Sequence, residues 1–313
     1  MSESADPRNT VVIIGAGPAG MSAAVYAKMS AVDVTLLEHV APGGQILRTH
    51  GIENYLGFPS GTSPFDLVAK WQEHLASLNI EVTSNTVAKI IPGEPIVVVN
   101  GAEEKIECKC VVIATGARPR LLGVPGEWEL FGKGVSTCAV CDGNFYRGRT
   151  VAVVGGGTTA VEDVMHLARL VKKVYHIHRR DQLRLAGETS GELAKLDNVE
   201  RVFSSNVEEV LGKEGVTGIR VRSVKDDSVR ELAVDGVFMA VGIAPNTEFL
   251  EGMLKTDDKG FIVTKEDMST SVPGIYAAGD VRHTVLRQVC TAVADGAIAG
   301  LSVAKFITGV SLW

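Results

Sequence analysis

Long hydrophobic runs are missing from this chain. The first nine residues are polar, and the apolar stretch that follows, Val11–Ile14, ends at a glycine. A secretory signal needs an apolar core of roughly 7–15 residues and a membrane-spanning helix about 20. Neither export nor insertion is therefore expected. Cysteine is scarce as well: five in 313 residues exclude a secreted disulfide scaffold and make a reducing cytoplasm the expected setting. Positive charge is not in excess either. With 31 Lys and Arg against 37 Asp and Glu, net −6, no global basic surface is offered to nucleic acid or anionic lipid. Only a local patch, such as Arg147 with Arg149, remains.

What is present in quantity is glycine, 34 residues, and it is placed in a repeat. Val11–Ala27 (VVIIGAGPAGMSAAVYA) and Val151–Ala168 (VAVVGGGTTAVEDVMHLA) both read as an apolar strand, a glycine turn and a helix. Val112–Pro119 and Phe238–Pro245 correspond in the same way, and Asn79–Val87 with Asn198–Val207 more loosely. Valine- and isoleucine-rich segments between these landmarks predict a small additional sheet in each copy. The segment 246–313 has no second copy, so the expected topology is one domain split by insertion of the other. The expected boundaries give 1–121 and 246–313 as one domain and 122–245 as the other, with turns at Pro119, Pro125, Gly126 and Pro245. Two linkers between the same two domains form a hinge. Ser63-Pro64-Phe65-Asp66 opens a helix in which Phe65, Val68, Trp71, Leu75 and Leu78 recur at helical spacing and read as core.

Both glycine turns have the context that a dinucleotide site requires. Gly15-Ala16-Gly17-Pro18-Ala19-Gly20 lies between a strand and a helix, where a pyrophosphate meets the helix N-terminus. Glu38 ends the next strand, where a carboxylate can accept from ribose hydroxyls. In the second copy, Gly155-Gly156-Gly157-Thr158-Thr159-Ala160, the next strand ends instead in His178-Arg179-Arg180, with Arg184 beyond. Guanidinium groups there favour the 2′-phosphate of NADPH.

Between the two turns stands Cys138-Ala139-Val140-Cys141-Asp142. Cysteines at this spacing close into an easily reduced disulfide, and an adjacent acid can manage the proton of thiol chemistry. The same spacing is half of a zinc site, but Cys108 and Cys110, which would have to complete it, read as alternating strand positions. Cys290 is isolated and reads as packed at the start of a helix. No metal role is assigned to the histidines.

With these motifs together, the chain resembles the low-molecular-weight, bacterial-type thioredoxin reductases over essentially its full length. Gly43-Gly44-Gln45 and Glu53-Asn54-Tyr55-Leu56-Gly57-Phe58-Pro59 are similar to the flavin-pocket loops of that family. Ala114-Thr115-Gly116-Ala117 is similar to the turn that closes its FAD domain, and Gly274–Asp280 with Arg287-Gln288 to its second flavin segment. The resemblance implies two Rossmann-like three-layer α/β domains, with an NADPH domain inserted into an FAD domain. FAD would be held by the first turn, Glu38, Gly44, Gln45, Asn54, Val87, Thr115, Gly116, Gly279, Asp280, Arg287, Gln288 and Val289. Asp280 would lie near the ribityl chain, and Gln288 with Val289 near the isoalloxazine. NADPH would be held by the second turn with His178, Arg179, Arg180 and Arg184. Catalysis would fall to Cys138, Cys141 and Asp142, with Cys141 the flavin-proximal sulfur and oxidised thioredoxin the acceptor. The resemblance also implies rotation of the NADPH domain between half-reactions, and a homodimer. One departure is Thr158, where the family commonly has asparagine; it is expected to cap the helix and tune NADPH affinity.

Four other readings compete. A relative reducing a peroxiredoxin-type partner usually carries an additional N-terminal region, whereas only ten residues precede the first strand here. A ferredoxin-driven relative would lack the arginine cluster, and a ferredoxin–NADP reductase would lack Cys138 and Cys141. A redox sensor without turnover would need neither the cysteine pair with Asp142 nor the hinges.

Overall fold

The computed structural model describes residues 6–49, 51–183, 193 and 195–310. By its internal contacts the chain divides into two compact units. The first comprises Met1–Leu47, Pro64–Arg118 and Ala244–Trp313; the second comprises Arg48–Ser63 and Pro119–Ile243. The segment 48–63 thus groups with the second unit, although both its chain neighbours belong to the first.

The first unit is built on strands β1 (Thr10–Ile14), β2 (Asp33–Glu38), β3 (Val82–Ser84), β7 (Cys110–Ile113) and β18 (Ile275–Ala277). They form a parallel sheet in the order β18-β7-β1-β2-β3. Every residue of β1 and β7 is buried, as continuous apolar runs must be when both faces of a parallel sheet are covered. Val11 and Ile13 face a core shared with helices, while Val12 and Ile14 face a second core. That second core is lined by a three-stranded antiparallel sheet of β4 (Val87–Ile91), β5 (Ile96–Asn100) and β6 (Lys105–Cys108).

The helical side holds α1 (Pro18–Met29), α2 (Pro64–Ser77) and, last in the chain, α5 (Val289–Thr308). Helices α1 and α5 meet through small residues. A Cβ on Gly296 would lie 2.1 Å from the Ala19 carbonyl oxygen, and one on Gly300 2.5 Å from that of Ala23. By length and composition α5 could cross a membrane; here it is a core helix with Ala299 and Val303 fully buried. Of the expected stripe on α2, Val68 and Leu75 are buried and Trp71 and Leu78 pack against the core. Phe65 departs from it at 66% exposed, and buried Pro64 and Leu67 take its place at the start of the helix.

The second unit repeats the plan. Strands β9 (Val135–Ser136), β10 (Thr150–Val154), β11 (Lys173–His178), β12 (Val199–Phe203) and β16 (Gly236–Met239) form a parallel sheet in the order β12-β11-β10-β16-β9. Helix α4 (Thr158–Leu167) covers one face. The other is covered by the antiparallel sheet of β13 (Ser205–Gly212), β14 (Val216–Ser223) and β15 (Val229–Ala233). The short helix α3 (Ala139–Asp142) follows β9. At the two points where the chain leaves and re-enters the first unit, β8 (Ala117–Pro119) and β17 (Ile243–Pro245) pair as a two-stranded ribbon.

Candidate active site

The first glycine turn is pinned at both ends. The Gly15 N–H donates to the Leu37 carbonyl at 2.7 Å, and Gly15 sits at φ +104°, where a Cβ would lie 2.5 Å from the Ala114 carbonyl oxygen. Only glycine fits that place. A Cβ on Gly20 would fall 1.8 Å from the Gly15 carbonyl oxygen. One on Gly17 would meet nothing within 4 Å, and as N-cap of α1 Gly17 offers no side chain to the helix N–H groups. Packing thus needs glycine at 15 and 20, whereas position 17 opens onto space over a helix N-terminus, as a pyrophosphate cradle requires. The Ala16 N–H donates to Glu38 Oε2 at 2.7 Å and the Val40 N–H to Glu38 Oε1 at 3.0 Å. A carboxylate has about four acceptor sites, so Glu38 can hold its own backbone and still accept from ribose.

Other elements of the unit converge on this turn. The Gly43 N–H bonds to the Ala16 carbonyl at 2.8 Å, which brings a Cβ position on Gly44 to 3.4 Å from Gly17 Cα; Gln45 is exposed beside it. Asn85 donates its N–H to the Glu38 carbonyl at 2.8 Å and leads into half-buried Val87. Thr115 and Gly116 are tied to Asn246: Thr115 Oγ1 donates to the Asn246 carbonyl at 2.8 Å, and Asn246 Nδ2 to that of Thr115 at 2.7 Å.

The Gly279–Asp280 turn rests on α1, with a Cβ position on Gly279 2.8 Å from Ala19 Cβ. Its N–H is held by Asp295 Oδ2 at 3.1 Å, and Asp295 in turn pairs with Arg282 at 2.6 Å. Burial pushes the Asp280 carboxyl up to about 6, against the opposing pull of the Arg287 guanidinium. Arg287 lies 4.1 Å over the Phe261 ring. Gln288 is the N-cap of α5, in a reciprocal capping box with Thr291, and Val289 is the first helical residue. Asn54 is exposed and belongs to the segment grouped with the second unit.

The second turn has the same frame. The Gly155 N–H donates to the Ile177 carbonyl at 3.0 Å, a Cβ on Gly155 would lie 2.4 Å from the Ala240 carbonyl oxygen, and one on Gly157 would meet nothing within 4 Å. Gly157, extended, is the N-cap of α4 and makes no side-chain cap bond. Thr158, expected as the cap, is already the first helical residue, exposed together with Thr159. Ala160 is fully buried. His178 is buried beneath the turn, where a Cβ on Gly156 would strike its ring at 2.2 Å. His176 is also fully buried, and its Nε2 meets the Gly155 carbonyl at 3.0 Å. A carbonyl only accepts, so Nε2 holds the proton. Burial drives this imidazole down to about 4. Arg179 and Arg180 follow β11, both exposed; Arg184 lies outside the described residues.

In the same unit Cys138 and Cys141 are joined as a disulfide, S–S 2.05 Å. Cys138 caps α3, its Sγ accepting the Cys141 N–H at 3.1 Å, and Val140 between them is exposed. Asp142 is buried and accepts two hydroxyls, from Thr49 Oγ1 at 2.7 Å and from Ser136 Oγ at 2.6 Å. Cys108 and Cys110 are buried and unbridged; burial pushes both thiols up to about 12. Cys290, expected to be packed, is exposed, because it occupies the outer side of the first turn of α5. Among the described residues no group of three or more His, Cys, Asp and Glu side chains is arranged to hold a metal.

Two glycine turns of the form that cradles a dinucleotide, one in each unit, and a cysteine bridge are what electron transfer to a disulfide would require. Residues 9–296 match the pyridine nucleotide-disulphide oxidoreductase family model. The chain belongs to the pyridine nucleotide-disulphide oxidoreductase family. Within it, similarity is high to a thioredoxin reductase of Listeria monocytogenes, 42% identical over 298 residues, or 95% of this chain and 93% of that one. Among solved structures, thioredoxin reductase from Streptococcus pyogenes is 42% identical, with a TM-score of 0.90 over 97% of this chain and 100% of that chain. A ferredoxin-flavin thioredoxin reductase from Clostridium acetobutylicum is 30% identical, with a TM-score of 0.52 over 96% of this chain and 98% of that chain. For this pyridine nucleotide-disulphide oxidoreductase, the sequence patterns point to both cradles and the cysteine pair. Ser136, Thr49 and His176 escape them. A hydroxyl two residues before Cys138 is a faint signal for Ser136, and nothing local marks the other two.

Proposed function

We propose that this oxidoreductase is an NADPH-dependent, FAD-containing thioredoxin reductase. The observation that carries the reading is the Cys138–Cys141 disulfide next to buried Asp142, in the unit that also holds the second glycine turn. In this reading 1–121 and 246–313 form the FAD-binding domain and 122–245 the NADPH-binding domain. A homodimer in the cytoplasm is part of the reading on family resemblance alone.

The first cradle suits FAD. The open face at Gly17, the overhanging Gly44, the carboxylates of Glu38 and Asp280 and the positive end of α5 at Gln288–Val289 supply acceptors for sugar hydroxyls and backbone N–H groups for phosphate. Bound FAD would relay two electrons from the nicotinamide to the disulfide. The chain's own tasks are binding, orientation and proton handling. Gly157, Thr158, Thr159 and Ala160 seat the pyrophosphate of NADPH; Arg179, Arg180 and Arg184 take its 2′-phosphate bidentately. Asp142 holds the proton that disulfide reduction consumes. The β8–β17 ribbon is the hinge on which the NADPH domain would turn between half-reactions.

Anaerobic titration with NADPH, following flavin absorbance and free thiols together, tests the reading. Reducing equivalents should fill both the flavin and one disulfide, and thioredoxin should then reoxidise the protein. Bleaching without new thiols would remove the cysteines from the path. A flavin that NADPH leaves oxidised while reduced ferredoxin bleaches it would favour the ferredoxin-driven alternative, against which the two exposed arginines after β11 speak.

A further inference from the structure

The surroundings of Asp142 contain more than a carboxylate held in place. Its two hydroxyl donors each have a second acceptor in reach. Thr49 Oγ1, 2.7 Å from Asp142 Oδ1, is 3.4 Å from the Gly51 carbonyl oxygen. Ser136 Oγ, 2.6 Å from Asp142 Oδ2, is 3.5 Å from the Cys138 carbonyl oxygen. At those lengths the carbonyls do not compete with the carboxylate while it is ionised. Ser136 Oγ also accepts the Cys138 N–H at 3.1 Å, so its oxygen stays anchored while its hydrogen is able to rotate.

A buried carboxyl that changes protonation state faces a specific difficulty. Ionised, it is an acceptor only; protonated, it must donate, and a donor that still points at it collides with the new hydrogen. A buried polar group left without a partner costs about 1–3 kcal/mol. Hydroxyls resolve this, because one rotation about C–O turns a donor to the carboxylate into an acceptor from the carboxylic acid. The rotated hydrogen needs somewhere to go, and the carbonyls of Cys138 and Gly51 are already there.

We infer that Ser136 and Thr49 are positioning residues that act as a pair of reversible hydroxyl rotors, letting Asp142 take up and release the proton of disulfide reduction without leaving its buried site. The inference rests on the disulfide-reductase reading above. Its balance is simple. NADPH brings a hydride, two electrons with one proton; the S–S bond breaks, and two thiols need two protons. The second proton passes through Asp142 and is replaced from solvent. When the dithiol reduces thioredoxin's disulfide, both protons leave with the transferred hydrogens. Tyr146 is a titratable side chain that senses the Asp142 charge. Its phenol is pushed up to about 12 by burial and then by the Asp142 charge, so it stays protonated through the working range and is not the exchanging group.

The test is anaerobic stopped flow on the flavin-loaded protein, separating flavin reduction by NADPH from thiol formation, across pH 5–9. Thr49→Val and Ser136→Ala each remove a rotor at little change in volume. Thiol formation should slow about tenfold in each, a fraction of what a positioned acid contributes, and its pH profile should change, while flavin reduction by NADPH stays at the wild-type rate. Thr49→Ser keeps the hydroxyl and should restore both rate and profile. If Thr49→Val and Ser136→Ala form thiols at the wild-type rate with the wild-type profile, the rotors are not part of proton handling. If Thr49→Ser is as slow as Thr49→Val, the methyl rather than the hydroxyl matters, and the inference falls. If wild-type protein forms no thiols at all, the reductase reading itself fails, an outcome visible before any variant is made.

Discussion

The two glycine turns share a backbone and differ in what holds it. In the first unit Glu38, at the end of β2, pulls on an N–H: Ala16 donates to it at 2.7 Å. In the second, the residue at the same register is His178, whose ring lies under Gly156, and the turn is held through a C=O, that of Gly155, by His176. The counterpart of His176 in the first sheet is Leu36, fully buried and apolar. In the proposed reading the acid that stabilises the first turn also accepts from a ribose. The second turn is held by an imidazole packed under it, and the strand end carries exposed Arg179 and Arg180, which that reading assigns to a phosphate. One duplicated frame thus holds its two turns by different groups: a carboxylate on an N–H in the first, an imidazole on a carbonyl in the second.

The sharpest way to break the comparison is to exchange the sixth and last turn residue. Gly20→Ala would drive a methyl to within 1.8 Å of the Gly15 carbonyl oxygen and should destabilise the first unit by more than about 3 kcal/mol. Flavin should be lost on purification. The reciprocal Ala160→Gly should cost only about 1 kcal/mol. Thermal unfolding with flavin release as a second signal compares the two.

Next in size is the nucleotide choice. Replacing Arg179 and Arg180 together by Gln should raise the Kd for NADPH about a hundredfold, two charge-assisted contacts at ~1.5 kcal/mol each, and leave NADH nearly unchanged. Equal weakening of both in a fluorescence titration would remove the arginines as phosphate readers. A smaller loss, about tenfold in flavin affinity, is expected for Glu38→Ala, which deletes a charged partner of two N–H groups. NADPH binding to the same variant should be unaltered.

At neutral pH the smallest effect belongs to His176→Leu, the residue of its counterpart. Its signature is a slope. With the folded imidazole held near 4 against about 6.5 when unfolded, the unfolded chain binds more protons across that window. Wild-type stability should therefore fall as pH drops from about 6.5 towards 4, and the variant should lose that part of the slope in denaturant unfolding. Parallel curves for the two proteins would mean that the imidazole is not held neutral.

Glycine spacing made the turns legible, because sterics leave no other residue at Gly15 or Gly155, and valine-rich strands made both parallel sheets legible. The end of a stripe was harder to read. On α2 the periodicity marks Val68, Trp71, Leu75 and Leu78, but in the first turn Pro64 rather than Phe65 is buried. Partners distant in sequence were not legible. Thr49 and Asp142 are 93 residues apart, and the Arg282–Asp295 pair that holds the Gly279 N–H exists only once α5 has docked on α1. Thr158 fits the pattern of a cap, yet the cap falls on Gly157 because the helix begins one residue earlier than that pattern implies.

The five cysteines grade into three classes of reactivity, and this makes the protein its own gauge. Cys108 and Cys110, pushed up to about 12 inside the core, should be silent to an alkylating reagent at neutral pH for as long as the chain stays folded. Exposed Cys290 should label at once and mark one equivalent. The bridged pair becomes visible only after reduction. A mass spectrum of labelled native protein should therefore show one adduct when oxidised and three when reduced, while a fourth and fifth would report unfolding of the first unit rather than redox state.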